Sequence, residues 1–123
     1  MFNLINQDRE KEGLPPYTKS SALTKLARIK ATDMYLNSYY AHTSPVYGCP
    51  RTMAQTFGVH YQRLGENIHK ANNSRSSAQY HHDSFMNSPG HRALILSSEH
   101  TQIGIGMVSV SGDTYVVKMF RRI

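Results

Sequence analysis

The sequence predicts a single α+β domain in which helices cover a sheet. Two observations carry this. Leu23, Leu26, Ala27, Ala31, Met34 and Tyr35 recur at three- and four-residue steps, the period of a helix with one apolar face. The chain closes on two β-rich runs, Ile103–Val110 and Thr114–Arg121, separated by the turn residues Ser111-Gly112-Asp113. At 123 residues the chain is long enough to bury about two-thirds of its surface around one core, and too short for two. We therefore treat residues 1–123 as one domain.

The elements follow in chain order. A first helix is expected from Phe2 to Glu12; Gly13 can take the left-handed position after its last turn, and Pro15-Pro16 stops continuation. Ser20 or Ser21 caps the second helix. Tyr39 to Pro50, rich in Tyr, Ser, Pro and Gly, reads as a loop that carries His42. A short helix spans Arg51 to Phe57 and ends at Gly58. A brief strand covers Glu66 to His69. The run Asn72-Asn73-Ser74-Arg75-Ser76-Ser77 reads as a surface loop. A helix from Ser77 to Met86 places Ala78, His82, Phe85 and Met86 on one side, and Ser88-Pro89 opens a further turn through Ile95, with serine as cap and proline first.

Composition narrows the function classes. One cysteine, Cys49, excludes an intrachain disulfide framework. No apolar run reaches the ~18 residues of a membrane span. Fourteen Lys and Arg against eight Asp and Glu give a net charge of +6, and seven histidines add to it in mild acid. The basic residues are scattered, without the block of alternating cations and aromatics that a nucleic-acid groove needs. A diffuse positive field suits an acidic polymer or an anionic surface, and it also serves solubility.

Three residues sit where loops expose side chains over a rigid scaffold: His42 in Ala41-His42-Thr43-Ser44-Pro45, Glu66 in Gly65-Glu66-Asn67, and His91 in Ser88-Pro89-Gly90-His91-Arg92. Two imidazoles and a carboxylate suit a divalent metal with one position left for water, or an acid–base pair. Spacings of 24 and 25 residues form no local motif, so the residues alone leave both open. Other candidates have plainer readings. His81 and His82 are neighbours on a helix, so their side chains diverge by about 100° and take structural or solvent roles. Cys49 has no Cys-x-x-Cys partner and reads as a bystander thiol. Tyr35, Tyr39, Tyr40 and Tyr47 either line a groove or pack a helix end against a loop, and we favour packing. Ser44 and Ser88 lack a nucleophile-elbow setting.

Leu4-Ile5-Asn6-Gln7-Asp8-Arg9 with Gly13-Leu14-Pro15-Pro16, then Tyr40-Ala41-His42-Thr43-Ser44-Pro45, Gly65-Glu66-Asn67-Ile68, Met86-Asn87-Ser88-Pro89-Gly90-His91-Arg92-Ala93 and Gln102-Ile103-Gly104-Ile105-Gly106 occur in this order. Together they resemble bacterial CAP domains, the superfamily of cysteine-rich secretory, antigen five and pathogenesis-related proteins. The resemblance covers essentially the whole chain. It implies an α-β-α sandwich with a small, mainly antiparallel sheet covered by helices on both sides. It also implies a concave face holding His42, Glu66 and His91, with Zn2+ or another divalent cation as the metal. The family's second glutamate is not matched: its place falls on or near Ser88, and Asp83, one turn upstream, substitutes only if its helix face turns inward.

The resemblance further implies an extracellular or cell-wall-associated binding module with an unidentified ligand in the cleft, and the net charge of +6 makes an anionic cell-wall polymer a candidate partner. The first alternative is a metal-assisted hydrolase of peptide or cell-wall material with Glu66 as base beside His42 and His91. The second is a lipid- or sterol-binding protein.

Overall fold

Helix α1 (Phe2–Lys11) leads through the two-residue strand β1 (Thr18–Lys19) into the long helix α2 (Ser21–Leu36). Helix α3 (Pro50–Thr56), strand β2 (Arg63–Asn72), helices α4 (Ala78–Met86) and α5 (Pro89–Ile95), and strands β3 (Gln102–Val110) and β4 (Asp113–Arg122) follow. The computed structural model describes residues 1–72, 78–110 and 112–123. The loop expected at 72–77 therefore lies, beyond Asn72, outside the described residues, as does Ser111 of the β3–β4 turn.

The sheet runs β1-β3-β4-β2, with β1 parallel to β3 and the other pairs antiparallel. Strand β4 is central and is buried from Thr114 to Phe120. Alternation along it divides the core in two. Tyr115, Val117 and Met119 join Leu23, Leu26, Ala27, Ala31 and Met34 of α2 and Met53 of α3 on one face. On the other, Val116 and Phe120 join Ile5 of α1, Phe85 of α4 and Ile95 of α5. Helices thus cover both faces: the α-β-α sandwich.

Local chemistry explains the element ends. Ser20 caps α2, its hydroxyl accepting from the Leu23 N–H at 3.2 Å. Gly13 follows α1 at φ +70°, the left-handed conformation expected of it. Strand β2 departs from expectation: it has ten residues rather than the brief Glu66–His69. Its sequence shows no clean polar–apolar alternation, yet every residue pairs with β4 in register, Arg63 opposite Arg122 through Asn72 opposite Asp113. Cross-strand pairing, invisible to local pattern, extends it. The residues after Ser88 form a seven-residue helix rather than a single turn.

Gly104 and Gly106 let α2 lie directly on β3. A Cβ at Gly104 would stand 2.1 Å from the Leu23 carbonyl carbon, and one at Gly106 2.4 Å from the Arg28 nitrogen. Both obstacles are helix backbone, which cannot rotate away. Gly104→Ala is therefore expected to destabilise the domain by about 3 kcal/mol through overpacking. Gly90→Ala meets nothing within 4 Å and should fall within about 1 kcal/mol of the parent. Denaturant midpoints of the two variants check this pair.

Candidate functional site

His42 lies in the loop between α2 and α3, and buried polar groups fasten that loop to α2. Ser44, 3% exposed, bridges to Gly48 through paired backbone hydrogen bonds of 2.8 and 3.1 Å. Its hydroxyl donates to Asp33 Oδ2 and accepts from the N–H groups of Val46 and Tyr47. Tyr39 donates its hydroxyl to the same Asp33 oxygen. Burial and this bond hold the Tyr39 phenol well above its ordinary range. Lys30 Nζ donates to the His42 carbonyl at 2.8 Å and to Tyr39 Oη at 3.2 Å. Lys30 is 1% exposed; burial lowers its pKa, and the charges of Glu66 and Asp33 oppose that shift. A buried ammonium beside two carboxylates fixes the backbone that carries His42.

The imidazole itself is held by Glu66. His42 Nδ1 and Glu66 Oε1 are 2.8 Å apart, with the two side chains 55% and 2% exposed. Glu66 hydrogen bonding is the largest cause of a raised His42 pKa, opposed by desolvation. With a carboxylate at Nδ1, that nitrogen carries the proton of the neutral ring, and Nε2 is left as the exposed acceptor. Glu66 Oε2 is buried without a hydrogen-bond partner among the described residues.

The His91 backbone is tied to the residue that follows Glu66 on β2. Neighbouring residues in a strand point to opposite faces, and Glu66 and Asn67 hold one histidine each. Glu66 grips the His42 ring, while Asn67 Nδ2 donates to the His91 carbonyl at 3.1 Å. The His91 ring packs edge-on against Phe85, centroids 5.1 Å apart. Burial first, then the His42 and Lys118 charges, lower its pKa. His42 and Glu66 thus form a hydrogen-bonded pair on β2, and His91 lies near enough for the His42 charge to act on it, one imidazole favouring the proton and the other resisting it. Among the described residues no three His, Cys, Asp or Glu groups stand round one point.

The remaining candidates separate. Ser88 stands at the N-cap position of α5, without a side-chain capping bond, where the second glutamate was sought, and Asp83 is exposed. His81 and His82 are buried at 0% and 3%, which removes any solvent role. His82 Nε2 bonds Asp8 of α1, and His81 packs against His69 with centroids 5.2 Å apart. Tyr35 packs against Tyr115 and Tyr47 against Phe57, while Tyr40, 48% exposed, donates to the Ile68 carbonyl at 3.1 Å. Cys49 is exposed and lies 3.3 Å from Thr52 Oγ1. Sequence reasoning missed Lys30, Asp33 and Asn67. A signal existed for Lys30, which falls three and four residues after Ala27 and Leu26 on the buried stripe of α2.

The sequence profile of the cysteine-rich secretory protein family, CAP, matches residues 2–120. The chain belongs to the CAP family. This CAP domain is 41% identical over 108 residues to the uncharacterized protein YkwD of Bacillus subtilis strain 168, covering 88% of the chain and 41% of YkwD. It is 30% identical over 107 residues to the uncharacterized membrane protein YlbC of the same organism, covering 87% of the chain and 30% of YlbC. The chain thus spans less than half the length of these relatives. Among solved structures, an extracellular SCP-domain protein of Bacillus anthracis strain Ames superposes with a TM-score of 0.87 at 29% identity. That match covers 99% of this chain and 39% of the other. Among the described residues of this CAP domain, no helix is long and apolar enough to cross a membrane.

Proposed function

We propose that this CAP domain is an extracellular or cell-envelope binding module whose cleft between His42 and His91 takes a divalent cation, or a polar ligand in its place. The observation that carries this is the 2.8 Å contact between His42 Nδ1 and the buried Glu66 carboxylate. A carboxylate behind an imidazole fixes the tautomer and raises the basicity of the outward nitrogen, the arrangement found behind metal-ligating histidines. His42 and His91 would hold the ion, zinc best suiting two imidazoles. Glu66 would act from behind His42, and the metal would supply a Lewis-acidic centre for an anionic or carbonyl group.

Binding is preferred to hydrolysis because Glu66, the only acid of the trio, is 2% exposed and turned to His42. A general base must reach the proton that it removes. The extracellular placement rests on family membership and on the description of the Bacillus anthracis relative.

Zinc and protons compete for neutral imidazole. Glu66 raises the His42 pKa, so the competition extends above the ordinary histidine range near pH ~6.5. Zinc is therefore expected to bind at least about tenfold more tightly at pH 7.5 than at pH 5.5. Calorimetric titration of the intact domain at both values tests this. Equal affinity at the two would remove the histidines as ligands.

A further inference from the structure

We propose that a groove at the start of β2 binds a phosphate-bearing chain. It encloses about 510 Å³ and is lined by Arg51, Tyr61, Gln62, Arg63, Leu64 and His100. Arginines dominate the surrounding charge, with Glu99 as the acid among them. Arg63 lies directly opposite Arg122 in the β2–β4 register, and Leu64 lies opposite Arg121. Like charges facing each other across an antiparallel pair repel, and an anion between them relieves that repulsion.

Arg51 and Arg63 line the groove, and Arg121 and Arg122 stand on β4 opposite its β2 wall. The one ion pair that they make among the described residues is Arg63 Nε to Glu99 Oε2 at 3.2 Å, with side chains 61% and 55% exposed. Such a pair is weak and readily exchanged for a stronger anion. Arg121 is committed elsewhere, to Gln102, to the His60 carbonyl and to Ser20. Its charge remains in the field while its donors are spent. Arg51 is exposed and makes no ion pair among the described residues, and the Arg63 fork needs only to leave Glu99. His100, tied to Ser97 Oγ at 3.0 Å, forms part of the wall.

The geometry selects the ligand class. A planar carboxylate satisfies one arginine fork with its two oxygens. A phosphate offers acceptors in several directions, so guanidiniums from α3 and from β2 can share one group. A concave groove also suits a chain better than a flat lipid surface. The site is three residues from Glu66 along β2, about 10 Å at strand rise. It uses none of the cleft residues and stands independently of the metal reading.

The test is calorimetric titration of the full domain with sodium tripolyphosphate at 50 and 200 mM salt. Wild-type affinity is expected to fall about tenfold or more across that range, because the contact is between charges that salt screens. Arg51→Gln and Arg63→Gln should each weaken binding about tenfold. Glu99→Gln should strengthen it several-fold by freeing Arg63, a gain that misfolding cannot imitate. Lys25→Gln, which removes the same charge from an exposed face of α2, and His42→Ala should leave it within about twofold. The proposal is overturned if Lys25→Gln loses as much as the groove variants, if Glu99→Gln gives no gain, if polyglutamate binds as tightly as tripolyphosphate, or if tripolyphosphate does not bind.

Discussion

Replacing Lys118 with methionine is expected to stabilise the domain by several kcal/mol at pH 7. Lys118 sits in the middle of β4, 0% exposed, with Nζ 3.4 Å from the centroid of Phe85 and no hydrogen-bond acceptor among the described residues. Its surroundings are basic. His69 Nε2 and both ring nitrogens of His81 are likewise buried without partners there, and His91 lies within its field. Burial pushes the Lys118 pKa down to about 7. Between that value and the ordinary ~10.4 of lysine, the unfolded chain holds a proton that the folded chain has released. Stability therefore rises with pH across this window, and that contribution is lost as pH falls toward 7.

Three to four pKa units set an upper limit of about 5 kcal/mol on the effect. Methionine has a similar volume, needs no solvation and packs against the same ring. Chemical denaturation at pH 7 and pH 9.5 should show the wild type gaining stability and Lys118→Met flat. Above pH 10 the buried phenol of Tyr17, pushed up to about 12, works the other way, because the unfolded tyrosine ionises first. A wild type with no gain between pH 7 and 9.5 would mean that Lys118 keeps its proton in the fold.

The second large effect concerns the cleft. His42→Ala and His91→Ala should each remove most of the zinc affinity, while Glu66→Gln should cost about 10- to 100-fold, the range for a group that orients a ligand from behind. Glu66→Gln keeps the shape and leaves Nδ1 with a neutral partner, so its loss reports charge rather than folding. Calorimetry on the three variants gives the order. An effect of Glu66→Gln as large as that of either histidine would make the carboxylate a direct ligand.

His81 and His82 take the structural rather than the solvent role that the sequence left open, since both are buried in the α4 layer. Their substitution should lower stability before it touches metal binding. This contrast shows what the residues revealed unaided. The stripe on α2, the cap at Ser20, the Ser88-Pro89 start of α5 and the loop around His42 were legible because each is a local pattern with a local cause. The glycine-bearing strand was legible too, although its reason, α2 backbone lying 2.1 Å from where a Gly104 Cβ would stand, is a matter of packing.

What stayed hidden was non-local. The length of β2 depends on its pairing with β4, and β1 is two residues that pair only with β3. Lys30 and Asp33 look like solvated charges on a helix until the loop folds over them. Glu66 and His42 were readable as a site through their motifs. That neighbouring Glu66 and Asn67 serve histidines on opposite faces of one strand emerges only from strand geometry.

The central claim is that His42 and His91, with Glu66 behind His42, form one cation site. A crystal of this domain soaked with zinc at pH 7.5 tests it most directly. The account predicts anomalous density at His42 Nε2 shared with the His91 imidazole, with Glu66 still bonded to Nδ1. Zinc seated instead on other side chains, such as His60 or Cys49, with none between His42 and His91, would contradict it.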